Sequence, residues 1–115
     1  MDKIKIRTFN VKIDNKFMNK LRIILNKHDP MGIYFDEKTN FDEYDPEIKN
    51  IYNDFNKCKS FKEFSKLVYS IFQYWFGADI AGNKIKYSKL SRELYHILKK
   101  HLKNDKTKPK ILFKK

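Results

Sequence analysis

Cysteine, glycine, proline, alanine and arginine are all scarce in this sequence, and each shortage excludes something. The single cysteine, Cys58, rules out an intramolecular disulfide and a zinc site built on cysteines. It also points to a reducing compartment, so a cytoplasmic location is expected. Three glycines and three prolines are too few for a turn-rich β-sandwich or a low-complexity chain. Long apolar runs are missing as well. No window approaches the roughly 18 apolar residues of a membrane span. The richest stretch, Leu67 to Phe76, is broken by Ser70 and Gln73. The opening MDKIKIRTFNVKID has no uninterrupted apolar core, so it does not read as a secretory signal. Sequence signatures of catalysis are absent too: there is no G-x-S-x-G, Walker A, G-x-G-x-x-G, H-E-x-x-H or EF-hand pattern. No cofactor and no metal site are expected.

Aromatic residues and lysine are plentiful. Ten Phe, seven Tyr and one Trp in 115 residues give enough apolar mass for one folded domain and too much for a disordered chain. The net charge is +12, yet all but three of the 26 basic residues are lysine. Bidentate recognition of phosphate or bases favours the planar fork of arginine, so much of this lysine reads as solvated surface. The distribution of charge is more telling than its sum. Residues 29–54 hold eight acids against Lys38 and Lys49, a net −6, so the other 89 residues carry +18. One acidic segment sits in a basic body, an asymmetry that can steer and orient a charged partner.

The periodicity predicts an all-α domain of about four helices over residues 15–103. An N-terminal arm or short strand (1–14) precedes it, and a basic tail (104–115) follows. Phe17, Leu21, Ile24 and Leu25 share one helical face after a candidate N-cap, Asp14. Asp29-Pro30 stops that helix, because a residue before proline avoids helical angles. An apolar connector follows, with Met31, Ile33, Tyr34, Phe35 and Phe41. Asp45 reads as the next N-cap, with Pro46 at the first helical position, ahead of Ile48, Ile51, Tyr52 and Phe55. Ser60-Phe61-Lys62-Glu63 is a capping box. It opens the most apolar helix, which carries Phe64, Leu67, Val68, Ile71, Phe72 and Trp75 and ends at Gly77. GADIAGN (77–83) reads as a turn. Leu90, Leu94, Ile97, Leu98 and Leu102 mark a last helix from about Ser88.

Several residue groups could carry chemistry, and each has a structural explanation beside it. Asp42, Glu43, Asp45 and Glu47 could gather around Mg²⁺ in a small metal-dependent nuclease, but capping and the helix dipole account for Asp45 and Glu47. His96 and His101 stand five apart, where helical ligands of a shared metal prefer four. His28 at a helix end suits the dipole. Cys58 lies between Lys57 and Lys59, which could lower its pKa. Trp75 belongs to the core face, whereas Tyr69 and Tyr74 fall off it and are expected to be partly exposed.

His28-Asp29-Pro30-Met31-Gly32-Ile33 and Asp42-Glu43-Tyr44-Asp45-Pro46-Glu47-Ile48 together resemble the YugE-like family of small bacterial proteins of unknown function. The likeness covers roughly residues 15–102 and extends to the Phe-rich helix ending at Trp75-Phe76-Gly77. It implies a compact helical fold with no established catalytic residues. The pattern also looks like that of immunity proteins encoded beside bacterial toxins, including contact-dependent growth inhibition systems. The function expected from these features is binding without catalysis: neutralisation of a cognate toxin, a nuclease by preference. Asp36, Glu37, Asp42, Glu43, Tyr44, Asp45 and Glu47 would face its basic cleft; alternatively, the lysine surface would meet an acidic face of the toxin. The alternative is nucleic-acid binding through Lys3, Lys5, Arg7, Lys106, Lys108 and Lys110.

Overall fold

The computed structural model describes residues 12–104. The expected N-terminal arm, apart from residues 12–14, and the basic tail beyond Asn104 lie outside the described residues, as do Lys3, Lys5, Arg7, Lys106, Lys108 and Lys110.

Within this span the chain is all helix and connection, with no strand among the described residues. Helix α1 spans Asn15–His28. Asp14 caps it by accepting the Phe17 N–H at 3.1 Å. The helix ends where Asp29 turns left-handed at φ 42° and donates its N–H to the Leu25 carbonyl. Helix α2, a single turn at Glu37–Asn40, lies within the connector. Helix α3 (Asp45–Asp54) runs on into a 3₁₀ turn, Phe55–Lys57. Helix α4 spans Phe61–Phe76. Ser60 Oγ accepts the Glu63 N–H at 3.2 Å, while the Glu63 carboxylate takes the Lys59 N–H at 2.7 Å. The capping box therefore closes one residue earlier than its usual form. Helix α5 is the single turn Ala78–Ala81, and a 3₁₀ turn, Lys84–Tyr87, leads straight into α6 (Ser88–Asn104).

The four long helices close into a ring: α1 packs on α3 and α6, and α4 packs on the same two neighbours. Each turns its apolar stripe inward. Phe17, Met18, Leu21 and Leu25 come from α1, and Ile48 and Ile51 from α3. Phe64, Val68, Ile71, Phe72, Trp75 and Phe76 come from α4, and Leu90, Leu94 and Leu98, four residues apart, from α6. Each such side chain stabilises the fold by roughly 1.5–3 kcal/mol relative to exposure. Phe72 is a hub, with the rings of Tyr87, Phe76 and Tyr44 centred 5.2, 5.9 and 6.0 Å away.

Two parts of the structure depart from the sequence expectation. Residues 77–83 are not a simple turn. Gly77, at φ 89°, a conformation other residues rarely adopt, reverses the chain into α5, and Ala81 is fully buried. Tyr87 then enters the core and donates its hydroxyl to the Ala81 carbonyl, while Tyr69 donates to the Gly82 carbonyl at 2.8 Å. At the start of α3, Tyr44 occupies the N-cap position, Asp45 is already helical, and no side chain caps the end. The first turn closes through the Ile48 N–H on the Tyr44 carbonyl, and the Asp45 carboxylate is drawn away to another helix.

Candidate binding surfaces

The connector between α1 and α3 carries five of the chain's 14 acidic residues, and its shape is set by a few residues. Asp29 organises its first half. One carboxylate oxygen, Oδ1, accepts the N–H groups of Ile33 (2.9 Å) and Tyr34 (3.0 Å) and the Tyr44 hydroxyl (2.6 Å). That hydroxyl in turn accepts the Met31 N–H at 3.0 Å. Burial, followed by the bond to Asp29, pushes the Tyr44 phenol far above its ordinary pKa. Asn40 shapes the second half, accepting the Phe35 N–H at 2.7 Å and donating to the Ile33 carbonyl. Asp36 caps α2 by accepting the N–H groups of Lys38 and Thr39 at 3.0 and 2.7 Å. Thr39, through its side chain and then its backbone, holds the Asp36 carboxyl below the usual carboxylate range.

The seven residues expected to face a partner therefore divide. Tyr44 and Glu47 are fully buried, so neither can touch a partner, which corrects that expectation. Tyr44 is pulled inward because its ring packs on Phe72 while its hydroxyl ties Asp29 to Met31. Glu47 lies on the α3 face that turns into the bundle beside Ile48 and Ile51. Asp45 is half-buried and committed, since Arg22 donates Nε to Oδ1 at 2.9 Å and Nη2 to Oδ2 at 2.7 Å. This bidentate bond pushes the Arg22 guanidinium pKa up further. Glu43 is half-buried near the Asn40 amide. Asp36, Glu37 and Asp42 are exposed.

Sequence reasoning missed the apolar part of this surface. Phe35 is 73% exposed, and among the described residues it is the only Phe, Tyr or Trp in the exposed class. Ile23 on α1 is 57% exposed. It shares a shallow depression of about 350 Å³ with Asn26, Lys27, Tyr34, Glu37 and Phe41. Asn26, 7% exposed, donates its amide to the Phe41 carbonyl at 2.9 Å, while its Oδ1 finds no hydrogen-bond partner. The signal available in the sequence was Ile23 itself, an apolar residue off the α1 core stripe.

A second surface is opposite in sign. Helices α1 and α6 flank an open groove of about 1280 Å³. Phe17, Ile24, Tyr52 and Ile97 supply its apolar lining, and Lys12, Lys20, Lys89, Arg92 and Lys100 its positive charge. His96 and His101 also line it, but His101 lies flat on Phe17, with ring centroids 3.6 Å apart and planes at 8°. His28 serves the helix end: its Nε2 lies 3.3 Å from a Glu93 oxygen, and Lys27 bridges Glu93 at 2.8 Å. Lys27, then His28, hold the Glu93 carboxyl below its usual range. Cys58 is corrected as well. Burial, followed by Glu63 and Asp54, pushes its thiol up, opposite to the effect expected of the flanking lysines. Tyr69 and Tyr74 are partly exposed, as expected. Among the described residues, no group of three His, Cys, Asp or Glu could hold a metal ion, and no helix is long and apolar enough to cross a membrane.

No family model, curated protein or solved structure matches the chain.

Proposed function

We propose that this protein is a non-catalytic binding protein of the immunity type, which neutralises a basic toxin through the connector surface. Phe35 is the anchor. Its ring stands in solvent on backbone held by Asn40 and by the Asp36 cap, so little order is lost when a partner covers it. The carboxylates of Glu37 and Asp42 supply attraction for a cationic cleft, and the Ile23–Phe41 depression receives one apolar or donor-bearing side chain. The observation that carries the reading is Phe35, the one Phe, Tyr or Trp in the exposed class among the described residues, standing next to exposed acids in an otherwise basic chain.

The test is to read the neighbouring genes for a toxin domain and to titrate its product calorimetrically; the absence of such a neighbour counts against the immunity reading. Phe35→Ala should weaken binding about thirtyfold, the usual scale of a hot-spot residue. Glu37→Lys with Asp42→Lys should slow association most at low salt. Asp45 and Asp36 are left intact because both hold structure. Unchanged affinity in the triple variant, with an unchanged melting temperature, rejects the connector as the contact. Failure of the wild-type protein to bind rejects the immunity reading.

A further inference from the structure

The α1–α6 groove is independent of the connector and calls for a different occupant. We propose that it receives an acidic amphipathic helix from a partner protein. Its lining is apolar along Phe17, Ile24, Tyr52 and Ile97. Cations flank this strip on both sides, with Lys20 on α1 and Lys89, Arg92 and Lys100 on α6. On α6 those three share a side of the helix and extend over about 16 Å at 1.5 Å per residue, the length of three helical turns in a partner. An apolar floor between positive rims is complementary to a helix with an apolar stripe flanked by Glu or Asp.

The two carboxylates in the groove, Asp14 and Glu93, do not neutralise it, because five cations line it against them and Glu93 is already paired with Lys27. Asp14 accepts the Phe17 N–H at the α1 cap, and Glu93 is held by Lys27 beside His28. The chain's own flanking segments have the wrong sign. Residues 1–11 contain Lys3, Lys5 and Arg7 against Asp2 alone, and 105–115 contain five lysines against Asp105. A nucleic-acid strand would find charge but few open rings: Phe17 is 4% exposed with one face covered by His101, and Tyr52 is half-buried, which leaves His96 as the exposed ring of the lining.

The probe is a labelled synthetic peptide of about 18 residues, with Leu at helical spacing and Glu on both flanks, followed by anisotropy at about 150 mM salt. Saturable binding is expected, and a scrambled peptide of identical composition should bind about tenfold more weakly. Lys20→Glu with Lys100→Glu should reduce binding by about tenfold or more while circular dichroism and the melting temperature hold. Both reversals lie on exposed side chains. Four results would overturn the proposal. The first is no binding of the peptide. The second is equal binding of the scrambled peptide, which leaves only charge. The third is displacement of the helix by oligouridylate at lower concentration, which assigns the groove to nucleic acid. The fourth is self-association in sedimentation that the same reversals abolish, which assigns it to a second copy.

Discussion

Removing one oxygen atom tests the logic of the connector. Tyr44→Phe keeps the buried ring on Phe72 and deletes only the hydroxyl. That hydroxyl donates to Asp29 at 2.6 Å and accepts the Met31 N–H at 3.0 Å. A hydrogen bond to a charged group contributes about 1.5–3 kcal/mol, and a stranded N–H costs about 1–3 kcal/mol when fully dry. Met31 is only half-buried, so water can reach its amide and the second figure shrinks. The expected loss is about 2 kcal/mol, or a fall of about 10 °C in melting temperature for a domain near this size. Urea unfolding followed by far-ultraviolet circular dichroism measures it, with the m-value unchanged. Asp29→Asn should cost a similar amount. The double variant should cost less than the sum of the two, because both substitutions weaken the same cluster. A Tyr44→Phe protein within about 0.5 kcal/mol of wild type, the range of an ordinary surface substitution, would refute the claim that this hydroxyl holds the connector.

Three further outcomes are expected. Burial raises the pKa of both Tyr44 and Tyr87 in the fold, so the unfolded chain loses those protons first, near pH 10. Stability is therefore intact below that pH and should fall above it by about 1.4 kcal/mol per pH unit for each group, and Tyr44→Phe should halve the slope. Asn50→Leu leaves the Trp75 Nε1–H, now bonded to Asn50 at 3.1 Å, without an acceptor, and removes one donor from Asp54. A loss of about 2 kcal/mol in urea unfolding is expected, and a stabilised variant would show the polar bridge to be dispensable. Cys58 should react with iodoacetamide at neutral pH more slowly than a free thiol and match it in urea, because its thiolate is disfavoured only in the fold. Rapid modification of the native protein would contradict that environment.

Much of the architecture was legible in the chain. The four stripes of apolar residues, the Asp14 cap and the Ser60–Glu63 start are local signals, and local signals follow from spacing and side-chain chemistry alone. The candidate surface was legible only in part. Asp42-Glu43-Tyr44-Asp45 reads as one acidic run, yet Asp42 is in water, Asp45 is held by Arg22 from 23 residues away, and Tyr44 is in the core. That partition depends on contacts between segments distant in sequence, which no short window contains. The groove was hidden for the same reason, since its lysines are dispersed along α1 and α6 and meet only when the ring closes.

The position of Trp75 has a practical consequence. It is the only indole in the chain, it is 3% exposed, and its nitrogen is bonded across the seam between α3 and α4. Its emission therefore comes from one dry location, with no second fluorophore of the same kind to blur it. A shift to longer wavelength would report the parting of those two helices in particular, giving an internal gauge of whether any variant has kept its interior closed.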